Sequence, residues 1–253
     1  MRVVAVAPDV LVATSAYWQT TCTVVRRGDE AFVVDSPVLP DELEALPAVI
    51  EQAGFPFTGL LATHGDWDHL LGRMTWPDAA LGVAESTAER LRAEPGTAAR
   101  ELRDFDDQNY IVRPRPLSLG TVQALPVPGR CEIGDSELEL HPTGGHTVDG
   151  MALFVPWAGV LIVGDHLSPV EIPWISDGGS REVYVETLAR LEPLVAAAET
   201  VVPGHGGPIS SDRALTLLAE DRAYLEALPS ASLPDGRRTA FQRTIHAENL
   251  TRL

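Results

Sequence analysis

The chain has 253 residues, of which 45% are hydrophobic, so it can bury a sizeable core. Its formal net charge is −17 at pH 7, and all 19 of its basic residues are arginines. Because a strongly acidic surface repels phosphate backbones, this charge argues against a nucleic-acid partner.

Neither the cysteines nor the apolar segments indicate a secreted or membrane protein. Cys22 and Cys131 lie far apart and form no CxxC pair, which is typical of free thiols in a reducing compartment. The opening residues, MRVVAVAPDV, are too short for the apolar part of a signal peptide, and no apolar run approaches the roughly 18 residues of a membrane span. We therefore expect a cytoplasmic, soluble protein that does not bind membranes.

The first part of the chain predicts strands followed by one helix. RVVAVA, VLVAT and TTCTVVRRG are short β-branched runs, and Gly28-Asp29 separates VVRR from EAFVVD as the turn of a β-hairpin would. Residues 41–53 place apolar side chains at helical intervals, and Gly54 marks the end of that helix. The apolar strand GLLAT then leads into LATHGDWDHLLG, which crowds two histidines and two aspartates together.

The middle of the chain holds a charged segment between strands. After the short strand LGVA at 81–84, residues from about 85 to 110 carry a helical pattern that breaks at Pro95-Gly96. This pattern predicts either an inserted helical hairpin that covers one edge of the core or a pair of solvated surface helices. Residues 112–140 then return to a strand pattern.

The last part of the chain predicts a hairpin and then helices. MALFVPWAGVLIVGD is typical of two strands with a turn at 157–159, and ETVVPG is a further strand. Helices are predicted over 180–198, over 210–228 with Ser210 or Ser211 as N-cap, and in the tail RRTAFQRTIHAENLTRL. No repeat or linker divides the chain, so we expect one domain of residues 1–253, with mixed sheets that carry helices on their outer faces.

Four groups of residues that bind metals in other proteins each follow an apolar strand. Glycines flank every group, and glycine permits the tight backbone that turns a side chain inward. Loops that leave the same edge of a layered fold can converge on one site. The groups are His64, Asp66, Asp68 and His69 after GLLAT, His146 after LELHPTGG, Asp165 after GVLIVG, and His205 after ETVVPG.

These loops supply enough ligands for two metal ions if Asp165 bridges them. The first ion would be bound by His64, Asp66, His146 and Asp165, and the second by Asp68, His69, His205 and Asp165. His64 and Asp66 share an ion because residues two apart in an extended loop point the same way. The mixed nitrogen and oxygen donors predict two divalent ions, with zinc as the first choice and iron or manganese as alternatives.

Other residues near these groups have more than one interpretation. Asp66 is either a ligand or a capping or supporting residue of a degraded first site. His141 and His166 are surplus to the ligand count, and each either supports a ligand or the substrate or is a structural histidine. His246 is interpreted as a helix-packing residue. Trp67 either packs over its loop or faces the substrate pocket.

The motifs THGDWDH, GGHT, VGDH and VPGHG, in this order and at these separations, resemble those of the metallo-β-lactamase superfamily over nearly the whole chain. The resemblance implies an α/β fold, a four-layer αββα sandwich of two mixed β-sheets flanked by helices, with the metal site at one edge of the sheets. It also implies hydrolysis by a hydroxide bound between two metals. In that scheme Asp68 is the catalytic residue that orients the nucleophile and relays its proton.

One ligand departs from the usual pattern of the superfamily. The first motif is normally His-x-His-x-Asp-His, and Asp66 replaces the middle histidine here. A carboxylate at this place resembles the flavodiiron proteins, which have a glutamate there. Because an oxygen ligand is harder than imidazole and adds negative charge, it should shift the preference toward iron or manganese and away from zinc.

The predicted function is a metal-dependent hydrolase that cleaves a small ester, lactone, thioester or amide. Three alternatives stay open: an iron-dependent redox enzyme acting on a thiol, persulfide or oxygen, a small phosphodiesterase, and a non-catalytic binding protein with a decayed site. For the hydrolase, the redox enzyme and the phosphodiesterase, the expected partner is a small-molecule substrate. The segment 166–184 is expected to border the cleft, with Val170, Ile172, Pro173, Trp174 and Ile175 as an apolar wall or as packing against the core.

Overall fold

Two mixed β-sheets dominate the computed structural model, which describes residues 1–253. The first sheet has seven strands in chain order: β1 Arg2–Ala7, β2 Val10–Thr14, β3 Thr21–Arg27, β4 Glu30–Asp35, β5 Phe57–Leu61, β6 Leu81–Ala84 and β7 Val122–Leu125. Strands β1 to β4 pair antiparallel, and β4 to β7 pair parallel.

The second sheet has six strands, which in chain order are β8 Gly129–Ile133, β9 Ser136–Pro142, β10 Met151–Val155, β11 Val160–Ile162, β12 Thr200–Val202 and β13 Ile209–Ser210. Its spatial order runs from β13 to β8 without interruption, and only β11 and β12 pair parallel.

Seven α-helices accompany the sheets: α1 Pro40–Gln52, α2 Gly72–Thr75, α3 Glu85–Ala93, α4 Thr97–Asn109, α5 Arg181–Ala197, α6 Ser211–Ala227 and α7 Ala240–Thr251. None of them combines the length and the apolar content that a membrane span needs.

Alternation along the strands builds the layers of the molecule. Val24 packs in a core shared with α1, whereas the next residue, Val25, packs in the core between the two sheets. The outer face of the second sheet forms a third core with α5, α6 and α7. Since successive strand residues face opposite sides, both faces of each sheet are covered. The predicted αββα sandwich is confirmed.

Most predicted elements are present, with one informative shift. The predicted strand at 59–63 begins at Phe57 and ends at Leu61. It ends there because Thr63 donates its backbone N–H and its hydroxyl to the Asp35 carboxylate, at 2.8 and 2.9 Å, and leaves the ladder. Ser210 caps α6 as predicted, since its hydroxyl accepts the Arg213 N–H.

The charged segment after β6 forms two helices that cover the loop following β5. Phe105 of α4 is buried and its ring centroid lies 4.7 Å from that of Trp67. Gly96 begins α4 with a φ of +77°, a left-handed conformation that suits glycine. That this segment is an inserted hairpin stays a prediction. That residues 1–253 form one domain stays a prediction.

The last helix is fixed to the loop after β11 by buried amides. The Gln242 side-chain oxygen accepts the Ile172 N–H at 2.8 Å. Asn249, two turns further along the same face of α7, accepts the Ile175 N–H at 2.8 Å and donates to the Pro173 carbonyl at 2.7 Å. Both amides are at most 2% exposed, so α7 holds the backbone of this loop in one conformation.

Candidate metal centre

The structure brings all seven predicted ligands together at one end of the two sheets. Residues 64–69 follow β5, His146 lies between β9 and β10, Asp165 follows β11, and His205 follows β12. A short 3-10 helix over Trp67–His69 turns Asp68 and His69 inward. Four loops therefore meet where the strands end, as the pattern of apolar strands and ligands indicates.

The first group of side chains consists of His64, Asp66 and His146. The Oδ2 atom of Asp66 lies 3.7 Å from Nε2 of His64 and 3.3 Å from Nε2 of His146. One atom of each residue lies within 4.8 Å of the others, so the three could hold one ion.

The second group consists of Asp68, His69 and His205. The Oδ2 atom of Asp68 lies 3.6 Å from Nε2 of His69 and 3.4 Å from Nε2 of His205. These three residues are buried, and their donor atoms also lie within 4.8 Å of one another.

Asp165 lies between the two groups. Its Oδ2 atom is 3.3 Å from Nε2 of His146 in the first group and 3.4 Å from Nε2 of His205 in the second. Its Oδ1 atom is 3.1 Å from Nε2 of His69. No side chain fits at Gly204, because a Cβ there would lie 2.1 Å from Asp165 Oδ1. The position of this carboxylate therefore requires glycine beside it.

Two observations show that these residues fit divalent cations. Nε2 of His64, His69 and His146 and Oδ1 of Asp165 are buried without a hydrogen-bond partner. An orphaned buried polar atom costs about 1–3 kcal/mol, so four at one place fit donors that bind a cation. Ligands about 2.1 Å from a tetrahedral ion are spaced about 3.4 Å apart. The donor distances within each group, 3.3–3.7 Å, are close to that spacing.

Each histidine ring is oriented by an oxygen at its other nitrogen. Nδ1 of His146 lies 2.8 Å from the Trp174 carbonyl, and Nδ1 of His205 lies 3.1 Å from the Trp18 carbonyl. Nδ1 of His64 is 3.0 Å from the Thr63 hydroxyl. Nδ1 of His69 is 3.0 Å from Asp35 Oδ2, an ion-pair distance without hydrogen-bond alignment. An acceptor at Nδ1 keeps the proton there and leaves Nε2 free to bind metal.

Two of these supporting residues have strained backbones. Asp35 has a φ of +59°, and Trp18 and Gln19 have φ values of +52° and +53°. Left-handed backbone costs about 1–2 kcal/mol for a residue other than glycine. Such strain is concentrated at functional sites, and here it positions the carboxylate and the carbonyl that face His69 and His205.

Arg90 links the first group to the helical segment after β6. Its Nη1 atom lies 2.8 Å from Asp66 Oδ1 and 2.9 Å from Asp149 Oδ1. Asp149 is buried, and its Oδ2 accepts the Gly65 N–H at 2.9 Å. The guanidinium thus occupies one oxygen of Asp66 and leaves Oδ2 to face the histidines. Neither Arg90 nor Asp149 is predicted from the sequence.

Burial and nearby carboxylates shift the pKa values of the histidines in opposite directions. Burial lowers the pKa of His64. At His146 burial acts in the same sense, but the Asp66 and Asp165 carboxylates outweigh it and raise the pKa to about 9. At His205 the carboxylates of Glu171 and Asp165 outweigh burial and raise the pKa to about 10. His64 and His146 hold Asp66 ionised, with its pKa far below the usual range despite burial.

Metal binding to the metal-free chain is therefore expected to release protons at neutral pH. His146 and His205 carry protons below pH 9 and 10, and an ion must displace them to reach Nε2. The apparent affinity for zinc should rise as pH increases toward these values. Calorimetric titrations in buffers with different ionisation enthalpies measure the released protons, and equal heats in all buffers at pH 7 would contradict this protonation.

The structure also shows the burial of Asp68 and the surroundings of the three histidines outside the ligand groups. Asp68 is only 7% exposed, because the 3-10 helix turns it inward. His166 is buried, with Nδ1 3.2 Å from the Val163 carbonyl, and His246 lies 2.8 Å from the Tyr224 hydroxyl, so both are structural. His141 lies beside Glu139 on β9, away from the ligand groups.

The predicted apolar wall is divided between the core and the cleft. Ile172 and Ile175 are buried in the core with α5, α6 and α7. Trp174 is partly exposed and lines the cleft beside the ligands. Trp67 lies next to Trp18 and Phe105, with ring centroids 5.7 and 4.7 Å away, and also borders the cleft.

Comparison with known proteins supports the same architecture. The family model of the metallo-β-lactamase superfamily matches residues 16–205, which include all seven predicted ligands. The chain is similar to the DIM-1 metallo-β-lactamase, at 20% identity and a TM-score of 0.63, over 89% of this chain and 97% of that one. A metallo-β-lactamase family protein from Thermus thermophilus is 23% identical over 96% of this chain and 88% of that one, with a TM-score of 0.67.

A third similar structure belongs to an enzyme that is much longer than this chain. The stereoselective inverting sec-alkylsulfatase Pisa1 from Pseudomonas sp. has a TM-score of 0.70 at 15% identity, over 89% of this chain and 42% of its own. At these identities the three structures show a shared fold and nothing finer.

Proposed function

The chain belongs to the metallo-β-lactamase superfamily and is a metallo-hydrolase, and from that premise we propose that it uses two divalent ions to cleave a small ester, lactone, thioester or amide. The observation that carries this proposal is the pairing of two ligand groups around one carboxylate. His64 and His146 of the first group face Asp165 Oδ2. In the second group His205 faces Oδ2 and His69 faces Oδ1 of the same carboxylate.

The seven side chains would hold the ions as two sites that share Asp165. The first site consists of His64, Asp66, His146 and Asp165, and the second of Asp68, His69, His205 and Asp165. Two bound ions would act as Lewis acids and would lower the pKa of a shared water, which supplies hydroxide near neutral pH. Every histidine contributes Nε2 with its Nδ1 facing a protein oxygen, so the ligands are oriented before the ions bind.

Asp68 is the residue proposed to move the proton during hydrolysis. Its carboxylate borders the cleft and lies beside His69 and His205. From this position it can accept a hydrogen bond from the attacking nucleophile and deliver the proton to the leaving group. Its carbonyl accepts the Ser36 hydroxyl at 3.1 Å, and this contact anchors its backbone.

Zinc is the proposed native metal, and Arg90 is the reason. Asp66 alone would add a negative charge and a hard donor, which favour iron or manganese. The guanidinium contact at Oδ1 offsets part of the negative charge on Asp66, although Asp149 shares the same guanidinium. The oxygen donor still admits iron or manganese, but the charge argument against zinc is weakened.

We expect the metal-replete protein to hold two ions per chain. Replacing His146 by alanine should remove one ion, since it faces only the first group, whereas replacing Asp165 by alanine should weaken both sites. His166→Ala is the matched control, because His166 follows Asp165 directly but faces backbone carbonyls. Elemental analysis of each variant after metal loading measures the stoichiometry. A single ion per chain in the parent protein would contradict the shared-carboxylate assignment.

A substrate screen tests the hydrolase proposal itself. Protein purified without added metal is first analysed for its metal content and then assayed with ester, lactone, thioester, amide and phosphodiester panels. The same preparation is assayed under anaerobic conditions with thiol and persulfide substrates. Turnover of a carboxylic-acid derivative that a chelator abolishes and zinc restores would support the proposal. Turnover confined to thiols or persulfides with bound iron would overturn it.

A further inference from the structure

A cleft of about 330 Å³ opens beside the ligand groups and is lined in part by aromatic rings. Trp18, Trp67, Trp174 and Phe241 contribute to this lining. Trp18 and Phe241 stack with an interplanar angle of 15° and are 37% and 42% exposed. Aromatic rings left open beside a reactive centre provide a surface for an apolar part of the substrate.

Both arginines in this lining already have carboxylate partners. The only basic residues that border the cleft are Arg90 and Arg252, apart from the histidine ligand His205. Arg90 is paired with Asp66 and Asp149. Arg252 lies 2.7 Å from Asp177 and also donates to the Ile175 carbonyl. The chain has no lysine that could substitute for them.

Two carboxylates that border the cleft have no partner. Glu171, which is partly buried, and Glu101, which is exposed, form no ion pair and no side-chain hydrogen bond. Glu171 is near enough to His205 to be the main charge that raises the pKa of that histidine. Burial raises the pKa of Glu171 itself, and divalent cations nearby act in the opposite direction because they stabilise the ionised form.

The balance of charge around the cleft is negative even when cations are bound. Two divalent ions bring four positive charges, and the three ligand carboxylates Asp66, Asp68 and Asp165 oppose all but one. Arg90 with Asp149 and Arg252 with Asp177 are neutral as pairs. The two negative charges of Glu101 and Glu171 exceed the one positive charge that remains from the ions. A substrate with its own carboxylate therefore meets repulsion with no compensating arginine.

We propose that this cleft selects substrates whose group remote from the scissile bond is uncharged or cationic, and that it discriminates against substrates carrying a carboxylate there. This inference rests on the proposed function, since it names the substrate class of the same site. Glu171 is the specificity-determining residue, with Glu101 as its partner at the mouth of the cleft, and the aromatic wall supports the neutral or cationic group.

Three nitrophenyl esters with acyl chains of similar length test this inference on the metal-loaded protein. One chain ends in a methyl group, one in a carboxylate and one in a trimethylammonium group. We expect kcat/KM for the anionic ester to be lower than for the neutral ester by about tenfold or more, and the cationic ester to be at least as good as the neutral one. Glu171→Gln should reduce the ratio of kcat/KM between the neutral and the anionic ester by about threefold. The double variant with Glu101→Gln should remove most of this difference.

The control variant is Glu89→Gln, which makes the same charge change on the exposed side of α3, away from the cleft. It should leave the ranking of the three esters unchanged. Equal kcat/KM values for the anionic and neutral esters, or an equal effect of Glu89→Gln and Glu171→Gln, would overturn the inference and leave the hydrolase proposal intact.

Binding provides a readout that does not depend on turnover. Hydroxamates with the same three tails can be titrated into the metal-loaded protein and followed by the fluorescence of the cleft tryptophans. We expect the anionic tail to bind about tenfold more weakly than the neutral tail. If none of the esters is hydrolysed, the proposed function fails on that result, and the ranking of the hydroxamates still supports or overturns the charge selectivity.

Discussion

Replacing Asp68 by asparagine is expected to lower kcat/KM for a hydrolysed substrate by about 100-fold or more, the loss typical of removing a positioned acid–base group. The amide has the same shape but cannot accept and return a proton. The Asp68 carbonyl still accepts the Ser36 hydroxyl in the variant, so the 3-10 helix should be preserved. Steady-state kinetics with metal content measured on the same sample test this expectation.

The control for this variant is Asp107→Asn, on the exposed side of α4, which should retain full activity. Asp68→Ala should behave like Asp68→Asn but with weaker binding of the second ion, since one of the two carboxylates that face His205 would be lost. An Asp68→Asn protein with both ions bound and activity within a few-fold of the parent would show that another group moves the proton.

Replacing Arg90 by alanine is expected to weaken metal binding at the first site by about 10- to 100-fold, which is the usual effect of removing a contact behind a metal ligand. Without the guanidinium, Asp66 Oδ1 loses its partner and the carboxylate can rotate away from His64 and His146. Asp149 would also be left buried without its counter-charge, so the thermal stability of the metal-free protein should fall as well.

Chelator competition with zinc and with manganese measures this effect for each metal. Arg92→Ala, on the exposed side of the same helix, is the matched control and should bind both metals as the parent does. Arg90→Lys should recover part of the affinity but not the simultaneous contact with two carboxylates. If Arg90→Ala binds zinc as tightly as the parent, Asp66 does not depend on Arg90, and the case for zinc loses its support. Asp66→His replaces the oxygen donor of the same ligand by an imidazole nitrogen. The affinity for zinc relative to manganese should therefore increase.

Local patterns predict the layers of this protein and the convergence of its candidate ligands, for reasons that particular residues make clear. Val24 and Val25 alternate between two cores, and such alternation is visible in the sequence. The convergence of the candidate ligands is predictable because each of the four groups follows its own strand, and the ends of those strands lie at one edge. Ser210 at the start of α6 is similarly local, since its hydroxyl caps an amide three residues away.

The contacts that sequence patterns did not reveal join segments that are distant in the chain. Arg90 reaches Asp66 and Asp149 only because α3 folds over the loop after β5, and no periodicity records that approach. Trp18 supports His205 across most of the chain, through a carbonyl that any residue type has. The burial of Asp68 depends on α4 packing over Trp67, which the composition of either segment alone does not specify.

The attachment of α7 has an evolutionary consequence. The match to the superfamily model ends at residue 205, whereas Phe241 and Arg252 at the two ends of the last helix border the cleft. Gln242 and Asn249 hold that helix through main-chain groups of the loop, and main-chain groups tolerate side-chain divergence on either side. The helix that contributes Phe241 and Arg252 to the cleft can therefore diverge independently of the segment that holds the ligands. Descendants of this chain could acquire new substrate ranges by changes confined to α7, with every ligand left in place.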